Sequence, residues 1–405
     1  MRILSLINTV YDADQRGGMQ TVAEELASRL ATRGHEVTFL AARTPTSDSA
    51  REDIPDGVSV TRFDPGRTPW SFIRNSRRAM LKLLRRASFD VVHVHFAYAA
   101  VGPISALPRS VPIVRTYHGA WGLEKMLEAK IASRYNMRTR AYILAMHAIE
   151  QIDLARSCRV IALSDFAKRQ LLELYAIDAE RLHVFPGAVG ARFVPAVGGR
   201  DELRQRLALP RDALVIMTAC RLVEMKGVRN LIDALPAILR RRPTTFCVIV
   251  GDGPARESLM SHVDKVGLSR SVRFTGSLDR ELVDYYQTSD IFVNASQAPE
   301  TFGLVTLEAL ACGLPVVGTP VGATPDILRE IDSRFIASGT RARDLVARIV
   351  DVATLRERGE FEPSRLAASA RRSFDWDNHA LALEALFVES CAAPANRTAA
   401  FAGMT

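Results

Sequence analysis

The chain reads as an α/β protein with two parallel sheets, each covered by helices. Three observations predict this. Short strands that are apolar on both faces alternate with longer amphipathic stretches. The alternation breaks over residues 186–212, where Pro186, Gly187, Gly190, Pro195, Gly198, Gly199 and Pro210 give a linker composition, and then it resumes. Finally, 405 residues exceed one core of ordinary size.

In the first half, strands are predicted at 3–8, 37–41, 58–63, 91–95, 113–116 and 160–163, with a weak one at 183–185. Helical periodicity falls at 19–32, 71–87 and 165–175. The second half repeats the pattern, with strands at 214–219, 245–250, 272–275, 291–294 and 316–318. Its helices are predicted at 227–240, 256–266, 279–288 and 301–312. The expected domains are 1–188 and 189–374. A helix at about 375–391 is expected to pack back on the first, and the small, polar residues 392–405 read as a disordered tail.

A net charge of +8 favours acidic partners, which include phosphates, anionic lipid and nucleic acid. No recognised nucleic-acid module accompanies it, so nucleic acid is not expected. The five cysteines are scattered and sit mostly in apolar runs, as buried thiols do in a reducing compartment. The apolar run 3–7 is too short for a secretory leader, and no stretch approaches the roughly 20 apolar residues of a membrane span. Cytoplasmic residence is the expectation.

The most informative block runs from Ala298 to Asp326. Thr301 is the expected cap of a helix whose amino end offers the amides of Phe302, Gly303 and Leu304 to an anion or hydroxyl. Glu300 precedes that end and Glu308 lies about 12 Å further along, by the helical rise per residue. The two carboxylates of a retaining glycosidase stand about 5 Å apart, so this pair better suits one extended ligand held at two points.

A second block, Arg221-Leu222 followed by Lys226-Gly227, leaves a strand and opens a helix, and places two cations where a diphosphate could sit. Gly251-Asp252-Gly253-Pro254 follows the next strand. In the first half, Gly17-Gly18 opens a helix, and His118 ends a strand between Tyr117 and Trp121, two aromatics suited to a sugar face. Asp12-Ala13-Asp14 and Asp375-Trp376-Asp377 read as caps or solvated acids, and His93 and His95 share a strand face without further ligands. No metal is expected.

The blocks Pro-Glu-x-Phe-Gly, Glu-Ala-x-Ala-x-Gly-x-Pro-Val and the following Gly322 resemble the signature of family-4 retaining glycosyltransferases of the GT-B fold. The resemblance spans about residues 1–390 and implies two Rossmann-like domains facing a cleft. It implies no cofactor beyond a nucleotide diphosphate sugar, UDP- or GDP-linked, as co-substrate, and a hydroxyl acceptor that is a saccharide, lipid-linked or a small molecule. By the resemblance, Glu300 meets the transferred sugar and Glu308 the ribose. The backbone at Phe302, Gly303 and Leu304 meets sugar and phosphates, and Arg221 and Lys226 meet the diphosphate. Gly253 lies in a matching loop, Gly17 and Gly18 approach the donor phosphates, and His118 lies near the reacting sugar. The family's hinge Pro-Asn-Gly-Val-Asp is here Pro186-Gly187-Ala188-Val189-Gly190, and Asp326 stands where Glu is usual, so nothing is carried over there.

Two other readings fit the fold: a non-catalytic sugar-nucleotide sensor, against which the full Arg221, Lys226, Glu300, Glu308 set argues, and a GT-B phosphorylase or epimerase. No motif suggests the pyridoxal lysine a phosphorylase needs. The helix 71–87 adds a membrane question. Arg74, Arg77, Arg78, Lys82, Arg85 and Arg86 share one half of its wheel and Phe72, Ile73, Met80, Leu83 and Leu84 the other. The apolar half is expected on the sheet, and the basic half is available to anionic lipid.

Overall fold

A computed structural model describes residues 1–11, 17–45, 54–131 and 135–392. The Asp12-Ala13-Asp14 string and all of the expected tail beyond 392 lie outside the described residues. The chain forms two units, Met1–Lys125 with Asn136–Gly187 and Trp376–Thr405, and Met126–Tyr135 with Ala188–Asp375.

The first unit opens with β1 (Arg2–Leu6), α1 (Gly18–Thr32), β2 (Glu36–Ala42), β3 (Val58–Phe63) and α2 (Pro69–Leu84). Next come β4 (Val91–Val94), α3 (Ala97–Ile104), β5 (Ile113–Tyr117), α4 (Trp121–Ile131, counted with the second unit from Met126 on) and α5 (Met137–Arg156). β6 (Arg159–Ala162), α6 (Asp165–Leu174) and β7 (Leu182–Val184) follow. The second unit holds α7 (Arg200–Arg206), β8 (Leu214–Ala219), α8 (Val228–Arg241), β9 (Thr245–Val250), α9 (Arg256–Lys265) and β10 (Val272–Gly276). It continues through α10 (Leu282–Thr288), β11 (Ile291–Asn294), α11 (Leu304–Ala311), β12 (Val316–Gly318), α12 (Thr324–Ile331), α13 (Ala342–Glu357) and α14 (Pro363–Ser373). The last helix, α15 (Trp376–Ala392), belongs to the first unit.

Among the described residues, the first unit carries a seven-stranded sheet in the order β3-β2-β1-β4-β5-β6-β7, and the second a five-stranded sheet, β10-β9-β8-β11-β12. All paired strands are parallel, with Ile3 beside Val37 and Val91, and Ile216 beside Cys247 and Ile291. Their apolar runs follow from burial on both faces: Val91, Val92 and Val94 are fully covered, as are Ile291, Phe292 and Val293.

α2 starts at Pro69 because Thr68 and Ser71 form a capping box and proline suits the first helical position. Its Phe72, Leu83 and Leu84 pack on a core of Leu4, Val92, Met80 and Phe63, while its four cations, Arg74, Arg77, Arg78 and Lys82, stay exposed, as do Arg85 and Arg86 just past its end. α15 packs within the first unit, with Phe387 against His93 and the His379 ring nitrogen 2.8 Å from the Pro186 carbonyl. One expectation needs correction. The helix predicted from Thr301 starts at Leu304, because Gly303 takes a left-handed conformation (φ 100°) and becomes the cap.

Candidate active site

Open parallel sheets bind ligands outside the carboxyl ends of their strands, where the strand order reverses. In the second unit that point lies between β8 and β11. The loops leaving these two strands are joined through their backbones. The Gln297 and Ala298 amides donate to the Met225 carbonyl at 2.8 and 3.3 Å. A Cβ on Gly227, which has φ +66°, would stand 2.0 Å from the Ala295 carbonyl oxygen, so the close approach requires glycine. The junction sets Lys226 Nζ 2.8 Å from Glu300 Oε1.

Ser296 Oγ donates to the same carboxylate oxygen. Burial alone would raise the Glu300 carboxyl, but the Lys226 charge and the hydrogen bonds from Lys226 and Ser296 outweigh it and hold the group below its usual value. A buried polar lattice lies behind this pair. Asn294 donates to the Thr306 and Thr324 hydroxyls at 3.2 and 3.3 Å, and Thr319 donates to the Ser296 carbonyl at 2.6 Å. The Ala323 amide donates to the Glu300 carbonyl at 2.8 Å, and a Cβ on Gly322 would lie 2.4 Å from the Glu300 backbone.

A Cβ on Gly303 would lie 3.6 Å from Glu300 Oε2, so the carboxylate stands at the amino end of α11. The amides that a helix leaves unbonded there begin at Leu304, not at Phe302 as the sequence suggests. Phe302 itself is buried, with its ring 5.9 Å from Phe374. In α11, Glu308 Oε2 accepts the Tyr286 hydroxyl at 3.0 Å. Burial first, and Glu308 next, push that phenol well above its ordinary value, so it acts only as a donor. Arg221 is exposed just beyond β8 and pairs with no carboxylate among the described residues. The loop after β9 supports it from below: a Cβ on Gly253 would meet the Leu222 carbonyl at 2.5 Å.

In the first unit, strand order reverses between β1 and β4. Gly17 caps α1 in an extended conformation, and both Gly17 and Gly18 are exposed. His118 follows β5, and its Nε2 lies 3.2 Å from Nδ1 of His95, which follows β4. The His95 ring lies 4.1 Å from that of His93, whose Nε2 is 2.7 Å from the Thr116 hydroxyl. Burial, aided by Arg115 and the neighbouring imidazoles, holds His95 and His118 well below the ordinary 6.5 and His93 at about 3. All three rings are neutral near neutral pH. Tyr117 corrects another expectation. It is 1% exposed and its hydroxyl donates to Gln170, so it belongs to the core and leaves Trp121 as the flanking aromatic able to meet a ligand. Asp377 pairs with Arg29 at 3.0 Å. Among the described residues no group of three or more His, Cys, Asp or Glu is placed to hold a metal ion.

Residues 16–191 match the family Glycosyltransferase Family 4, and residues 199–371 match Glycosyl transferases group 1. A D-inositol 3-phosphate glycosyltransferase of Actinosynnema mirum is 30% identical over 391 residues, covering 89% of each chain. The chain belongs to glycosyltransferase family 4. Among solved structures, sucrose-phosphate synthase of Thermosynechococcus elongatus superposes with a TM-score of 0.79 at 19% identity, covering 96% of this chain and 98% of that one. Anabaena Alr3699/HepE in complex with UDP-glucose gives 0.74 at 20% identity, covering 96% and 100%. At that identity the likeness bears on the fold alone, which is GT-B.

In this glycosyltransferase the fold brings Lys226 and Glu300 together and leaves Arg221 beside the same loops. It keeps Glu308 about one turn into α11 on a separate partner, Tyr286. Sequence reasoning missed Ser296, Asn294 and Tyr286, and weighed His95 only as a metal ligand beside His93. A polar Asn-Ala-Ser closing the apolar strand Ile291–Asn294 is the signal that points to the first two. Tyr286 gave none, since its partner is remote in sequence.

Proposed function

We propose that this glycosyltransferase moves a hexose-type sugar from a UDP- or GDP-sugar to an acceptor hydroxyl, with retention of configuration and without a metal ion. The observation that carries the reading is the Lys226–Glu300 pair at the amino end of α11, with the unpaired Arg221 nearby. Arg221 and Lys226 are fixed cations for the leaving diphosphate, whose charge grows as the glycosidic bond breaks. The α11 amides from Leu304 onward add the favourable end of a helix dipole. Glu300 holds sugar hydroxyls, Glu308 holds the ribose, and the backbone at Gly303 allows close approach. Gly253 supports the Arg221 loop, and Gly17, Gly18 and neutral His118 serve the donor phosphates and reacting sugar in the first unit. The UDP-glucose complex of Alr3699/HepE supports a nucleotide sugar as donor, and the name of the Actinosynnema relative puts D-inositol 3-phosphate on the acceptor panel. Five free cysteines are in keeping with a cytoplasmic setting, and the exposed cations of α2 with peripheral contact to anionic membrane.

A panel of UDP-, GDP- and ADP-sugars tests this. Nucleotide release is expected from a UDP- or GDP-sugar, to survive EDTA, and to fall about 10²- to 10³-fold in Lys226→Ala and Arg221→Ala at unchanged melting temperature. Failure with every donor, or full activity in both variants, would sink the reading. Loss in EDTA restored by Mg²⁺ would show that a metal takes part.

A further inference from the structure

The two loops that carry His95 and His118 also carry an aromatic ledge. Phe96 follows His95 directly, and Tyr98 is the second residue of α3. Gly119, at φ +131°, turns the chain from β5 into α4, whose first residue is Trp121. The ring centroids of Phe96 and Trp121 are 4.6 Å apart, those of Tyr98 and Trp121 6.4 Å, and those of Trp121 and Tyr142 of α5 6.1 Å. All four rings are partly open to solvent, Tyr142 to 40%.

The ledge is rigidly mounted. The buried Glu150 accepts the Trp121 amide at 3.0 Å and the Tyr175 hydroxyl at 2.6 Å. Phe72 of α2 stacks on the far side of Tyr98 at 4.9 Å. Neither the Tyr98 nor the Tyr142 hydroxyl has a hydrogen-bond partner among the described residues. No Lys, Arg, Asp or Glu occurs from Phe96 to Ile104 or from Tyr117 to Leu123.

We infer that this ledge binds the acceptor, and that the acceptor presents a flat apolar ring, an aryl or fused-ring group, beside the hydroxyl that receives the sugar. The inference rests on the transferase reading, under which the acceptor hydroxyl must approach His118, so the body of the acceptor lies over the residues next to it. Those residues offer stacking faces and two open phenolic hydroxyls; the nearest cations in sequence are Lys125, one turn past Trp121, and Arg140, two residues before Tyr142. Offset stacking on Trp121 adds to the gain from area burial.

Calorimetry without donor tests this, using 4-nitrophenyl β-D-glucoside, methyl β-D-glucoside and D-inositol 3-phosphate. The aryl glucoside is expected to bind about tenfold more tightly than the methyl glucoside. Trp121→Ala should remove that preference and Trp121→Phe should keep most of it, both at wild-type melting temperature. Should Trp121→Ala fail to fold, Tyr98→Ala and Trp121→Phe together carry the comparison. Equal binding of the two glucosides, or tighter binding of D-inositol 3-phosphate, would overturn the inference. So would an aryl preference that ignores Trp121, or a Trp121 effect confined to anionic vesicles. Transfer assays separate the two readings. An aryl preference that depends on Trp121, with no transfer from any donor, defeats the transferase reading and leaves the ledge. Transfer that is indifferent to Trp121 defeats only the ledge.

Discussion

Glu300 stays ionised in a half-buried place because two neighbours favour its charged form, and the geometry makes their contributions separable. Ser296 supplies only a hydrogen bond, so Ser296→Ala leaves the Lys226 pair intact. The variant is expected to raise the Glu300 carboxyl toward its ordinary value and shift the acid limb of the kcat profile to higher pH, with kcat down about tenfold near neutrality. An unmoved acid limb would show that Ser296 does not tune this carboxylate. His95 supports His118 in the same indirect way. His95→Gln should lower kcat by about tenfold while leaving the KM for donor unchanged, since it touches the ring nitrogen of His118 and no donor group. Equal effects on both constants would point to a general loosening of the site instead. Glu300, Glu308, Arg221 and Lys226 were legible because each sits in a dense run of telling neighbours. Ser296, Asn294 and His95 were not, because an isolated polar residue gains meaning only from the group folded against it.

The elements show where periodicity serves and where it misleads. Most strands and the helices α1, α2, α8 and α9 fall within a few residues of expectation, since each turns one apolar face to a sheet. α5 escaped because its pattern is inverted. Glu150, Asp153, Met146 and Leu154 are buried, while Leu144 and Ile152 are 60% and 64% exposed. Its inward acids have partners no periodicity reveals: Glu150 holds Trp121 and Tyr175, and Asp153 pairs with Arg115 at 2.8 Å. The loops are equally specific. Gly322→Ala must place a Cβ against the Glu300 backbone at φ +62°, which should cost about 1–3 kcal/mol in denaturant unfolding and weaken binding of the intact donor. Wild-type stability in this variant would mean the loop relaxes freely. For α2, reversing Arg77, Arg78, Arg85 and Arg86 to Glu should abolish salt-sensitive binding to anionic vesicles while sparing nucleotide release, since each exposed cation near such a surface contributes about 1 kcal/mol. If the wild-type chain ignores anionic vesicles at low salt, the membrane reading fails.

The two units bury different sets of titratable groups, and acid should reveal it. The first buries neutral imidazoles, with His93 held at about 3 and His379 at about 4, both chiefly by burial. Because these lie below the ordinary 6.5, the neutral rings stabilise the fold above that value, and the stability is lost as pH falls toward 4 and 3. Asp153, raised to about 6 by burial, opposes this: its contribution is present in acid and lost as pH rises through about 6. With four such rings, counting His95 and His118, against one carboxyl, a net loss is expected. The second unit buries the Asp290 carboxylate among arginines. Burial alone would raise Asp290, but Arg356, Arg200, the Val215 amide and Arg204 hold it low, so its contribution lasts until pH falls below the carboxylate range. Trp70, Trp121 and Trp376, all the tryptophans of the chain, belong to the first unit. Tryptophan fluorescence should therefore report an earlier thermal transition than far-ultraviolet circular dichroism near pH 5, and the two should draw together near pH 7. Coincident transitions at both would remove the distinction.

By itself the sequence determined the α/β class, the break between two halves, the strand order along the chain and the residues of the Glu300–Glu308 block. Apolar runs and glycine positions are local consequences of burial and backbone geometry, and these can be read one segment at a time. Only the tertiary structure decided that Lys226 meets Glu300, that α11 begins at Leu304, that Tyr117 faces the core while Trp121 faces outward, and that four imidazoles sit together in one unit. Each of these depends on which strand lies beside which. That order is set by helices crossing between strands far apart in the chain, so no local pattern records it.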